Sequence, residues 1–444
     1  MASGYQHGVY SGEVPTALLP ARYVDTNAVF AVGTAPVHTL DEGKVRYVNT
    51  PRLYNSYDAF VAEMGWSENW HDFTLCEVAE SHFAKYGASP LVCVNVFDPE
   101  RHLIPDETPE SDSPGDAAEG TPESGSAGSA VRVPVAAKDI IGGVDAKTGK
   151  KTGLELIAEM FPRFRIVPGS ILAPRFSEDS AVAVSMSAKA TGINGLFRAL
   201  ALADIPTDKV PYYPGAPEHK ERNNLTSENL VVCWPRIALG DRVYHISTQL
   251  AGRVSLTDSD NGNSPHVSPS NKQAFMDRAV TVDASGAIAE EVWLGLTENN
   301  YLNGQGLVTV NNFDGGWKFW GNRTGCYPSN TDPKDAFIPI RRFMNWYQNT
   351  FILTYFSQVD GPITKRFIER ILKSEQIRLD GFTSRGIING GRIAYLSGEN
   401  PLTDIMDGLL RFHLWLSPPP PARSIEGIFE FDPTYLEALF GGEE

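Results

Sequence analysis

Two near-continuous apolar runs, LFRALALADIP (residues 196–206) and NLVVCWP (residues 229–235), constrain this chain more than any other feature. A strand with apolar residues at consecutive positions buries both of its faces, which requires a sheet covered by helices on each side. The flanking pattern supplies such helices. Leu154, Ile157, Ala158 and Phe161 fall on one helical face and are followed by a short apolar stretch, residues 164–167, that reads as a strand. Ser177 can cap a next helix bearing Val182 and Met186. This alternation of the two periods defines a layered α/β unit. An earlier run, DTNAVFAVGTAP from Asp25, is ended by Gly33 and Pro36 and reads as the first buried strand.

At 444 residues the chain exceeds the roughly 250–300 at which a single core stops growing, so two or three domains are expected. Residues 1–24 carry Gly4, Gly8, Gly12, Pro15 and Pro20 among scattered apolar positions, the pattern of an extended arm. Between Arg101 and Arg132 lie seven acidic residues, no Lys or Arg, and repeated Pro, Gly and Ser. Such a segment cannot build a core, and it either joins two domains or decorates a surface. The expected division is an N-terminal arm (1–24), a β-rich outer domain (25–103), an acidic loop (104–134), a central α/β domain (135–335), a C-terminal α/β domain (336–420) and a C-terminal arm (421–444). The fold class is α/β, α+β overall.

In the last third, Phe343, Tyr347 and Phe351 recur every four residues on one helix, and a second helix turns Ile363, Phe367, Ile371 and Leu372 inward. That second helix also carries Lys365, Arg366, Arg370 and Lys373, a basic face in an acidic protein. Leu410, Phe412, Leu414 and Leu416 alternate with Arg411, His413 and Trp415 in a half-buried strand stopped by the prolines 418–421. Beyond them, SIEGIFEFD sets Ile425, Phe429 and Phe431 against Glu426, Glu430 and Asp432, with Ile428 out of pattern. A strand placed after a proline hinge either folds back or pairs with a neighbour.

Chemistry is sparse. A net charge of −16, from 54 acidic against 38 basic residues, argues against a nucleic-acid surface. No basic-then-apolar leader and no bilayer-length apolar run occur, so the chain is expected to be made and kept in the cytoplasm without membrane contact. Cys76, Cys93, Cys233 and Cys326 form no Cys-x-x-Cys pair and read as buried thiols, while the glycosylation sequons at Asn224 and Asn322 read as chance matches. GGVDAKTGKKTG (residues 142–153) fails as a phosphate loop, because Val144 and Lys151 stand where Gly and Ser or Thr are needed; a helix cap and first turn explains it better. Neither a His-Glu-x-x-His nor a Gly-x-Ser-x-Gly motif is present, and no catalytic, cofactor or metal residue is assigned.

In order and spacing, several stretches together resemble the contractile tail sheath proteins of myophages and phage-tail-like bacteriocins. They are HGVYSGEVP (7–15), GGVDAKTGKKTGLELIAEM (142–160), HVSPSNKQAF (266–275), GLVTVNNFDGGWKFWGNRT (306–324), FIPIRRFMNWYQ (337–348) and NPLTDIMDGLLRFHLWLSPPPPARSIEGIFEF (400–431). The sequence departs from the common pattern in its acidic insertion. The resemblance implies a core of subtilisin-like topology, a helical homo-oligomer around an inner tail tube, contact with baseplate and tail terminator proteins, and a place in a virion tail or phage-tail-like particle assembled in the host cytoplasm. It further implies strand donation between subunits through Val9 and Tyr10 and through Ile425, Ile428, Phe429 and Phe431. Lys365, Arg366, Arg370 and Lys373 are the candidates for the tube-facing surface. Two alternatives stay open, a serine hydrolase of subtilisin-like topology and a generic oligomeric binding protein.

Overall fold

The computed structural model describes residues 19–104 and 131–436, so Val9 and Tyr10 lie outside the described residues. Its centre is an eight-stranded sheet of β1 (Val29–Gly33), β2 (Arg52–Tyr54), β3 (Leu91–Asn95), β4 (Ser170–Leu172), β5 (Leu200–Asp204), β6 (Leu230–Cys233), β7 (Leu307–Asn311) and β8 (Lys318–Trp320). The spatial order is β8-β7-β6-β5-β4-β1-β3-β2. The six inner strands run parallel, from Val29 opposite Leu91 through Leu230 opposite Ala201, and the edge strands β2 and β8 run antiparallel.

The apolar runs explain this core. Phe30, Val32, Val92, Val94, Ala201, Ala203, Leu230 and Val232 pack on one side of the sheet. Their neighbours Val29, Ala31, Leu91, Cys93, Leu200, Leu202, Val231 and Cys233 pack on the other. Successive side chains thus enter opposite cores, as a strand buried on both faces requires. On the first side lie α1 (Ser180–Thr191) and α3 (Ile338–Tyr355), with Phe343, Trp346 and Tyr347 entering the core. The second side is covered by α2 (Ile246–Asp260) and by a four-stranded antiparallel sheet, Arg242–His245, Arg236–Leu239, Arg278–Val282 and Ile288–Val292. After α3 come α4 (Lys365–Ser384) and a two-stranded sheet of β9 (Gly390–Ala394) and β10 (His413–Ser417).

The sheet does not follow the expected domain division. Residues 25–103 supply β1, β2 and β3 to the same sheet as the strands after residue 135, and α3 packs into that sheet's core. Leu103 pairs with Arg132 and Ile104 with Val131, so the acidic segment leaves and re-enters at one point rather than bridging two domains. Local boundaries shift as well. Gly153–Glu159 forms a 3₁₀ helix, and Arg165, at φ 60°, ends the short helix Met160–Phe164. The strand expected at 164–167 begins instead at Ser170, beyond Gly169, where a Cβ would stand 2.4 Å from the Thr26 carbonyl oxygen. Asp179, not Ser177, caps α1 by accepting from the Ala181 amide at 2.8 Å, while Ser177 Oγ accepts from the Asp204 amide. Residues 143–152 form a tight hairpin, Gly143 opposite Thr152, rather than a helix cap. Ile363 precedes α4, which Thr364 caps, and Leu410 and Phe412 precede β10. All four cysteines are buried and free, and no helix among the described residues is long and apolar enough to cross a membrane.

A π-helical turn, Glu80–Lys85, buries His82 to 2% exposure. Burial pushes its imidazole from the ordinary 6.5 down to about 4. The unfolded chain therefore binds more protons than the folded one between these values, and stability falls as pH drops from 6.5 to 4, by about 3 kcal/mol for this group alone. Denaturant titrations across that range are expected to give His82→Gln a flatter acid limb than the parent; an identical slope would remove His82 from the acid response.

Candidate assembly site

Helix α4 organises the C-terminal region. Ile371, Ser374, Glu375, Arg378, Leu379 and Phe382 share its buried side, so the face that carries apolar residues also carries a carboxylate and a guanidinium. Glu375 accepts hydrogen bonds from the hydroxyls of Tyr347 and, at 2.7 Å, Tyr355, both on α3. It also pairs with Arg378 Nη1 at 3.1 Å. Burial, followed by the adjacent carboxylate, pushes both phenols far above their ordinary range and keeps them as donors.

The chain enters the fold across this helix pair. The Leu19 amide donates to Ser374 Oγ at 3.1 Å and the Arg22 amide to Thr354 Oγ1 at 3.1 Å. Trp346 Nε1 donates to the Val24 carbonyl at 3.0 Å, and the Tyr23 ring lies nearly parallel to the Trp346 ring, 5.9 Å away. Side chains, rather than a strand ladder, thus hold residues 19–24.

One residue beyond Glu375, Gln376 holds the hairpin. Its Oε1 accepts from the Ile393 amide and its Nε2 donates to the Gly391 carbonyl, both at 3.3 Å. A side-chain amide therefore occupies the outer edge of β9. No described strand lies beyond β10. Gly391 permits the close seat, since a Cβ there would stand 2.9 Å from Leu379 Cδ2. His413, Leu414, Trp415 and Leu416 stay half-buried on this small sheet.

After β10 the chain forms no strand or helix through residue 432. Ile425, Ile428, Phe429 and Phe431 are 90%, 96%, 97% and 77% exposed. Burying each of such side chains is worth about 1.5–3 kcal/mol, so the arm presents four large apolar groups without cover. The basic residues Lys365, Arg366, Arg370 and Lys373 span an arc of about 140° at 100° per residue. Arg370 Nη2 donates to Gln358 at 2.6 Å, whereas Lys365 reaches only Glu369, at 3.9 Å, with its side chain 93% exposed. Lys365 and Arg366 sit in the first turn of α4, where the helix dipole disfavours cations.

A second polar cluster bears on the hydrolase alternative. Ser247 Oγ donates to Asp204 Oδ2 at 2.5 Å, and His245 Nδ1 lies 2.8 Å from Glu77 Oε2. The serine is therefore bonded to a carboxylate and not to the imidazole, and Ser247, His245, Asp204 and Glu77 are all 3% exposed or less. A nucleophilic triad needs the imidazole between serine and carboxylate, at a surface that substrate can reach. This cluster instead ties α2 to the sheet and to Thr74–Ala79. Among the described residues no group of His, Cys, Asp and Glu could hold a metal ion.

No family model matches the chain. The tail sheath protein of Burkholderia phage BcepMu aligns over all of this chain and all of its own length at 26% identity. Over its whole length the chain is thus similar to a contractile tail sheath protein. The major tail sheath protein of Serratia phage KSP20 is 29% identical over 41% of this chain and 44% of its own length. The sheath of an extracellular contractile injection system in its contracted state superposes with a TM-score of 0.65 at 15% identity, covering 98% of this chain and 100% of that one. The contracted helical sheath of the anti-feeding prophage gives 0.61 at 14% identity, covering 96% and 99%. The described residues thus have the fold of these sheaths, and the relatives are structural sheath proteins rather than enzymes. Neither the hydrolase nor the generic binding alternative gains support from these relatives.

Sequence reasoning assigned the arm and the basic face but missed Ser374, Glu375 and Gln376, which join arm seat, helix pair and hairpin. The available signal was a polar triplet on a helix whose neighbours on the same face are apolar.

Proposed function

We infer that this chain is the repeating subunit of a tail sheath that polymerises helically around an inner tail tube and contracts to drive that tube through a target cell envelope. One observation carries the reading: a two-stranded hairpin with an open edge and an apolar arm without cover occur in the same chain. A strand added to an edge gains main-chain hydrogen bonds worth roughly 0.5–1.5 kcal/mol each, so about five per arm link subunits by several kcal/mol. Donor and acceptor are different surfaces, so the contact is head-to-tail and propagates as a helix instead of closing. Ile425, Ile428, Phe429 and Phe431 are the donated side chains of the C-terminal arm, and Val9 and Tyr10 those of the N-terminal arm. The β10 edge accepts directly; the β9 edge accepts once Gln376 is released.

Lys365, Arg366 and Lys373 form the tube-facing charge, with Arg370 fixing the turn at Gln358. Baseplate and terminator proteins cap the polymer, which assembles in the host cytoplasm without nucleic acid or membrane contact. Contraction exchanges an extended lattice for one with more buried surface between the same subunits, so no nucleotide is required.

Negative-stain electron microscopy tests the reading on the full chain, a version ending at Ser424, and Lys365→Glu/Arg366→Glu. The full chain is expected to form hollow tubes and the truncation to stay monomeric. The charge-reversed chain is expected to remain folded and self-polymerise but fail to sheathe tail tubes. Equal polymerisation of the truncation would remove the arm mechanism, and normal sheathing by the reversed chain would remove the tube-facing assignment.

A further inference from the structure

At the base of the C-terminal arm lies a cavity of about 520 Å³, walled by residues 421–424 of the arm on one side and by the end of β8 on the other. None of its lining residues is an Asp or Glu, although the whole chain carries a net charge of −16. Two guanidiniums, Arg323 and Arg423, line it instead. Arg323 packs against two rings, 4.3 Å from the Tyr327 centroid and 3.7 Å from the Phe337 centroid. Among the described residues, no carboxylate ion-pairs with Arg323 or Arg423. Burial, and after it the facing charge of Arg423, draw Arg323 below its ordinary value.

Like charges brought together without a carboxylate are a poor arrangement for an isolated subunit and a good one for a peptide that brings carboxylates. We propose that this cavity is a docking site for a carboxylate-bearing segment of a second copy of the sheath protein, held by Arg323 and Arg423. Two observations point to a second copy. The cavity wall is the first stretch of the arm, so the site is continuous with the interface that the arm makes. Further, Glu426, Glu430 and Asp432 on that arm are exposed and carry no ion pair among the described residues, so the polymer itself supplies the complementary charge. The inference rests on the sheath reading and adds to it an electrostatic lock at the arm's hinge.

The test uses the full-length chain without tube protein and follows polymerisation by light scattering and electron microscopy. Arg323→Glu/Arg423→Glu is expected to raise the concentration needed for half-polymerisation at least about tenfold, with Arg323→Gln/Arg423→Gln intermediate. Thermal melting of the monomers reports whether each variant is folded. The wild-type threshold is expected to rise with salt and the Gln variant's to rise less, as an ion pair between subunits requires. An unchanged threshold in folded Glu and Gln variants overturns the docking site while leaving the sheath reading intact. A defect seen only when tubes are added assigns the carboxylates to the tube protein and equally overturns it. If the wild-type chain itself forms no polymer, the sheath reading fails first.

Discussion

Asp258→Ala is expected to lower the stability of the folded subunit by about 3–5 kcal/mol, the range for removing one partner of a buried ion pair. Asp258 is fully buried at the end of α2, and Arg342 meets it from the first turns of α3 with two bonds, 2.9 and 2.5 Å long. Both side chains are excluded from water, at 0% and 4% exposure. The penalty arises from the guanidinium left behind without a partner more than from the bond itself, and this makes the prediction specific. Pairing Asp258→Ala with Arg342→Leu removes the stranded charge and is expected to recover a large part of the loss. Urea midpoints of the two single variants and the double variant form the cycle that checks it. Additive losses would mean that the two side chains act independently.

Asp258 and Arg342 also mark where sequence reading stops. The pair is 84 residues apart, and neither residue lies in a pattern that forecasts burial. Local signals did better. The apolar runs containing β5 and β6 require helices on both faces, and the structure sends alternate residues of both strands into opposite cores. The prolines after β10 end that strand, and the apolar residues beyond them are exposed.

Composition misleads where topology decides. An acidic, Pro- and Gly-rich stretch divides a sequence as a linker would. Its ends nevertheless meet through Leu103 and Arg132, and β1 pairs with β3 before the stretch and β4 after it. Parallel pairing joins strands distant in sequence and leaves no local trace. Period alone was likewise unable to separate an α-helix from the 3₁₀ turn at Gly153–Glu159, since both bring positions three apart together. In the candidate site, the basic face of α4 was legible from charge spacing. The tether of Arg370 to Gln358 was not, because it depends on how the turn before α4 folds back.

Glu375 joins α3 to α4, and its replacement is expected to have the other large effect. Glu375→Leu removes the acceptor for the Tyr347 and Tyr355 hydroxyls and leaves Arg378, 8% exposed, without its carboxylate. The expected loss is about 3–5 kcal/mol, by the same argument as for Asp258. Glu375→Gln is expected to lose less, because an amide oxygen still accepts from one phenol while being unable to neutralise the guanidinium. The residues on either side give the defect a structural signature. Ser374 holds the Leu19 amide and Gln376 holds β9, so loosening α4 against α3 releases the root of the N-terminal arm and the hairpin together. Hydrogen exchange on Glu375→Gln is therefore expected to rise at residues 19–24 and in β9 and β10, while β5 and β6 keep their protection. If exchange rose in the hairpin alone, the arm root would be held independently of α4. A joint rise would mean that one buried carboxylate holds both residues 19–24 and the β9–β10 hairpin in place.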